Sequence, residues 1–212
     1  MYLDVKRGVI EAGFAWEVEW QGTVTLNGLT EPGFLREAAW VILCSGMREA
    51  VVRGRFADLS EAFLGWRSAQ EIVVERRSCR RRALAAFNHR SKIDAIIDIS
   101  RQVAAVTFEG IRADLVLRGV SYLQSLPFIG PVTSFHLAKN IGLQVAKPDR
   151  HLVRIAAMFG FSSAQGMCAA IADVVQDPIP VVDVVLWRFA ALHREYPRLL
   201  MQSYTDLWAS GT

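Results

Sequence analysis

The 212-residue chain is 52% hydrophobic and 21% charged, a balance that suits a packed core and excludes a disordered polymer. Its longest apolar run, residues 38–44, falls far short of the ~18 residues that suggest a membrane span, so no membrane partner is expected. The net charge of +3 conceals a block: residues 76–92 hold seven Arg/Lys and no acid, a layout that points to an anionic partner.

The N-terminal stretch lacks the charged-then-apolar layout of a secretory signal. Three scattered cysteines, Cys44, Cys79 and Cys168, fit a reducing compartment rather than a disulfide framework, and a cytoplasmic protein is expected. Four closely spaced thiolates for an iron–sulfur cluster are missing. The four histidines show no zinc-ligand spacing.

Taken in chain order, residues 17–26 alternate like a strand, or belong to an N-terminal helix. Thr30 as N-cap and Pro32 near N1 open a helix over about 32–45. Residues 58–66 read as a short helix. Two more, about 68–88 and 91–106, part near residues 87–91, with Ser91 a candidate cap. Residues 111–125 are helical, and a corner follows. Residues 131–142 are helical again. Asp149 starts a helix to about 159, Ser162 or Ser163 one to about 175, and Pro180 a long amphipathic one. Trp16, Trp20 and Trp187 read as core. The expected class is all-α with about ten helices in one domain over residues 1–212. No Pro/Gly/Ser-rich linker cuts the chain, so two lobes, if present, must share helices across a cleft.

The corner, residues 125–134, reads as a helix-hairpin-helix spanning about 112–141. Leu126 and Ile129 are the apolar pins and Pro127 stops the first helix. Gly130 can adopt backbone angles costly for other residues, and Pro131 suits the start of the next helix. Such a turn aims free N–H groups and a positive helix end at a phosphate. An ordinary antiparallel helix pair closing a core is the other reading.

Residues 126–154 resemble the helix-hairpin-helix DNA glycosylases, the group that includes endonuclease III and the adenine glycosylases. The family pattern runs leucine-proline-glycine-apolar-glycine, a helix, an extended stretch, then aspartate-x-histidine-apolar-x-arginine. Asp149, His151, Leu152 and Arg154 match its second half. A weaker likeness covers residues 34–49. Two positions depart from the pattern. Phe128 stands where the family has its first hairpin glycine, and Val132 stands where lyase-competent members carry a lysine.

The resemblance implies a two-lobed, cleft-bearing fold and a base-excision DNA glycosylase acting on double-stranded DNA with a modified base. Asp149, on a helix of about 149–160, would be the catalytic carboxylate, stabilising positive charge on the sugar and activating water. Its other reading is a plain N-cap, and both can hold. His151 and Arg154, one turn apart, would support it. Val132 cannot form a Schiff base, so a monofunctional enzyme without lyase activity is expected, with Lys139 and Lys147 read as surface residues. Phe128, Ile129, Gly130, Val132 and Thr133 would contact DNA. The carbonyls of Gln124, Leu126 and Ile129 would hold a structural Na+ or K+; no other cofactor and no protein partner are expected. Met47 is either the wedge entering the base stack or core, with Arg48 beside it. Arg77, Arg80 and Arg81 share a helical face that could track phosphates or simply be solvated. Phe128 is either tucked under the turn or set against DNA. The alternative from another class is a non-catalytic helix-hairpin-helix DNA-binding protein.

Overall fold

A computed structural model describes residues 1–209, and all regular secondary structure among them is helical. No helix among the described residues is long and apolar enough to cross a membrane. Two compact units emerge. Unit 1 joins residues 1–24 to the chain from Gln144 onward, and unit 2 is Thr25–Leu143.

Unit 1 opens with α1 (Tyr2–Val9), a π-turn over Ile10–Phe14, and α2 (Ala15–Thr23). The alternating stretch 17–26 is thus helical through Thr23. Glu17, Val18 and Gln21 are buried, one side of a helix rather than of a strand. Glu17 forms a bidentate ion pair with Arg188. Trp16 and Trp20, expected in the core, are 49% and 38% exposed, because α2 turns its acid and amide side inward instead.

Unit 2 begins with α3 (Glu31–Cys44). Thr30 caps it, its Oγ1 accepting the Gly33 N–H at 3.2 Å, and Pro32 sits in the first turn. Then follow α4 (Glu49–Arg53), α5 (Phe56–Ala62), a 3-10 turn (Leu64–Trp66), α6 (Ala69–Val74) and α7 (Arg76–Ala86). The helix expected over 68–88 is therefore broken at Glu75 (φ −88°, ψ 15°), with Ile72 before the break and Cys79 after it both fully buried. The longest element, α8 (Arg90–Arg118), kinks at Thr107 (φ 64°, ψ 159°), close to where the sequence reading ended one helix and began another. Its N-cap is His89; Ser91 lies inside the first turn. The hairpin helices are α9 (Val120–Gln124) and α10 (Thr133–Asn140). α8 packs on α3, α6 and α7. Phe34, Ile42, Phe63, Ile93, Leu115, Leu123 and Leu137 fill the core between these helices.

Gly142 closes the unit. Its φ is +95°, and a methyl group there would lie 2.3 Å from the Thr25 carbonyl carbon and 2.4 Å from the Leu26 nitrogen. Only glycine permits both that backbone angle and that approach. The end of unit 2, at Gly142, therefore packs closely on its beginning, at Thr25 and Leu26.

The chain then supplies α11 (Arg150–Met158), α12 (Ala164–Val175), α13 (Ile179–Leu192) and α14 (Tyr196–Ala209) to unit 1. Ser163 caps α12 through the Gly166 N–H at 3.0 Å, and Pro180 lies in the first turn of α13. α13 is the axis of this unit. α1, α2, α11 and α12 pack on it, burying Val181, Val182, Val185 and Leu186.

Candidate functional site

The hairpin turn is pinned as its apolar residues require. Leu126 and Ile129 are 3% and 4% exposed, and the Ile129 N–H donates to the Leu126 carbonyl at 3.1 Å. The residue with left-handed angles is Phe128 (φ 65°), however, and not Gly130. Gly130 has another job. Its N–H donates to Thr133 Oγ1 at 2.6 Å, and that hydroxyl lies 3.2 Å from the Gly130 carbonyl it can donate to. This closed ring turns the Gly130 amide away from any ligand. Among the described residues no hydrogen bond uses the amide N–H of Val132 or Thr133, the two at the mouth of α10. Val132 is 44% exposed. Lys139, expected at the surface, is 7% exposed because it lies on the inner side of α10 with Leu137 and Ala138.

Around the hairpin tip the fold gathers residues that are distant in sequence. The Phe128 ring meets His89 at right angles, centroids 6.3 Å apart, and His89 stacks on Phe87. Lys92 Nζ lies 5.9 Å from the Phe128 centroid. Lys92 is 2% exposed. Its ammonium donates to the carbonyls of Leu43 at 2.7 Å and Ser45 at 2.5 Å, groups left unpaired at the end of α3. Burial pulls the Lys92 ammonium below its ordinary range. Through this one side chain the hairpin tip adjoins the loop Ser45–Arg48, where Met47 is 39% exposed and Arg48 is exposed as well. Met47 is thus a loop residue and not part of the core. Lys92 and His89 were missed as site residues. Both lie in the acid-free block, where sequence shows charge but not which side chains turn inward.

The arginines of α7 divide by partner. Arg80 forms a bidentate pair with Asp94, at 2.6 and 3.0 Å, which holds the Asp94 carboxyl below its usual range. Its guanidinium is therefore committed to α8. Arg82 donates to the Ala62 carbonyl at 3.0 Å, and Arg76 to that of Val73 at 3.2 Å. Arg77 and Arg81, four residues apart, remain on an exposed surface depression of about 500 Å³ shared with Arg76 and Ser78.

In unit 1, Asp149 is the N-cap of α11. One oxygen, Oδ1, accepts the N–H of His151 at 2.9 Å and of Leu152 at 3.0 Å. The residue is half-buried, and Oδ2 takes no hydrogen bond among the described residues. The segment leading to it is held by side chains. The Ala146 N–H donates to Gln165 Oε1 at 2.7 Å, and the Lys147 N–H to Asp183 Oδ2 at 2.6 Å. Asp183, 1% exposed, was not singled out from sequence, since one acid in an apolar helix carries no motif. His151 and Arg154 do share a side of α11. The His151 ring meets Tyr196 at 5.4 Å and the Arg154 guanidinium lies 5.8 Å over the same ring. His151 Nε2 faces Arg150 Nε at 3.3 Å, and its buried Nδ1 has no partner among the described residues.

Cys44, Cys79 and Cys168 form no disulfide, and no cluster of three or more metal-ligating side chains occurs among the described residues. No family model matches the chain, and no curated protein or solved structure matches it either.

Proposed function

We propose that the protein is a monofunctional DNA glycosylase that hydrolyses the N-glycosidic bond of a modified base. The observation that carries this reading is the division of labour within Asp149. Oδ1 is spent on two backbone amides, which fixes the carboxylate, and Oδ2 is left for chemistry. In the proposed reaction the bond from C1′ to the base nitrogen breaks and its electron pair leaves with the base. Oδ2 of Asp149 stabilises the cationic sugar and takes a proton from the attacking water, whose oxygen bonds to C1′. The proton passes to the departing base, and the products are a free base and an abasic site.

Supporting parts of unit 2 have the chemistry such a substrate needs. The free amides of Val132 and Thr133 offer donors to a phosphate at a helix start. Met47 and Arg48 are exposed on a loop that Lys92 ties to the hairpin tip. Arg77 and Arg81 offer exposed positive charge for the backbone. The carbonyls of Gln124 and Ile129 accept no hydrogen bond among the described residues, and that of Leu126 accepts one. This neutral oxygen set suits Na+ or K+, which would stiffen the turn and take no part in the chemistry.

The test is base release from duplexes carrying a panel of modified bases, scored as alkali-labile abasic sites. Wild type should release at least one base, and Asp149→Asn should slow release by about 100-fold or more while DNA binding persists. Borohydride should trap no covalent adduct, since Val132 supplies no amine. Binding without release, unchanged in Asp149→Asn, would instead establish a non-catalytic DNA-binding module.

A further inference from the structure

The hairpin tip carries a conformational oddity. Phe128 adopts a left-handed φ of 65°, which costs any residue with a Cβ and which glycine would adopt without strain. Such strain persists where the surroundings enforce it, and it concentrates at functional positions. Here the surroundings do enforce it. Leu126 and Ile129 are locked into the core on either side, His89 meets the ring at right angles, and the Lys92 ammonium lies 5.9 Å from its centroid. The outcome is an aromatic ring held in place yet 42% exposed. Leu64, Trp66, Thr107 and Gln176 also have positive φ, so the angle alone marks no function; among these residues Phe128 is the exposed aromatic, and a ring needed only for packing would be covered.

The chemistry beside the ring narrows the partner. Four and five residues on, the amides of Val132 and Thr133 are unengaged among the described residues. An apolar protein surface covering the tip would strand those donors and sit against the basic side chains of the Ser45–Arg48 loop and the 89–92 segment. A nucleotide satisfies all of them, its base on the ring and its phosphate on the amides.

We infer that Phe128 is a base-stacking platform that receives an unstacked nucleobase where a DNA duplex is open. This rests on the nucleic-acid reading of the hairpin but not on catalysis by Asp149. Intact duplex keeps its bases stacked on each other, so the ring adds affinity only where one base has lost its neighbour. Stacking on an aromatic side chain accounts for between about 5- and 100-fold in affinity per base.

The experiment uses the full chain and two duplexes of one sequence, one intact and one with a tetrahydrofuran abasic analogue opposite 2-aminopurine. Wild type should bind the abasic duplex more tightly and quench the 2-aminopurine. Phe128→Gly should lose that preference by about 5- to 100-fold and lose the quench, with an unfolding temperature no lower than wild type. Phe128→Leu keeps the bulk and the strain without the π-face, and should lose the quench as well. A Gly or Leu variant that retains preference and quench overturns the inference while leaving the glycosylase reading standing. Wild type that binds neither duplex overturns both.

Discussion

Asp149 shows how one residue can serve structure and chemistry with different atoms. Asparagine caps helices nearly as well as aspartate, and alanine does not. Asp149→Ala should therefore lower stability by about 1 kcal/mol and Asp149→Asn by only a few tenths, as chemical denaturation would show. Both should slow base release by about 100-fold or more, so the pair separates the cap from the chemistry. The cap was legible in sequence because an acid between a proline and an amphipathic run has few other places to be. Phe128 was not. The turn advertises Gly130 as its special residue, yet the Gly130 amide is engaged by Thr133 and the left-handed angle falls two residues earlier. The tryptophans of α2 lie at the surface for a related reason. Hydrophobicity marks what favours burial, but Glu17 and Gln21 hold the inner side of that helix, and Glu17 keeps it because Arg188 neutralises it there.

At the scale of elements, most helix boundaries followed from caps and prolines: Thr30, Ser163 and Pro180 each mark a true start. The failures were local. Residues 17–26 satisfied the period of a strand as well as a helix, and nothing in the composition of 68–88 announces the break at Glu75. Packing between helices brings in groups that sequence leaves unpaired. Glu37 on α3 accepts from Asn140 Nδ2 on α10 at 3.0 Å and pairs with Arg36 at 2.6 Å. Burial nevertheless raises its carboxyl above the ordinary value, outweighing Arg36 and Asn140. The folded state thus prefers the protonated acid. The stability this confers is complete below the unfolded value of about 4.3 and is lost as pH rises through the raised folded value. Glu37→Gln is neutral throughout and can still accept from Asn140. Its unfolding temperature should draw ahead of wild type as pH rises from 4 to 7, by about 2–4 °C for each kcal/mol of penalty removed. Thermal unfolding followed by circular dichroism across that range would show it, and parallel curves would refute it.

The whole molecule was the least legible scale. The sequence reading expected lobes, if any, to share helices, because no linker composition cuts the chain. Unit 1 takes both ends of the chain, and unit 2 is the uninterrupted segment between them. Composition cannot report this, since the crossings occur in ordinary sequence near Thr25 and Leu143. Gly142 makes it possible. Gly142→Ala would drive a methyl into the Thr25 backbone and should cost about 3 kcal/mol or more. Gly160→Ala, at φ +77° with open space around it, should cost only the strain of its angle, about 1–2 kcal/mol. Urea denaturation of the two variants measures the difference. The contact at Gly142 also has a practical consequence. A stretch of chain that starts and stops at one point is a cassette: a short turn joining residue 143 to residue 25 would close it into a ring, and new ends could then be opened in any of its surface loops.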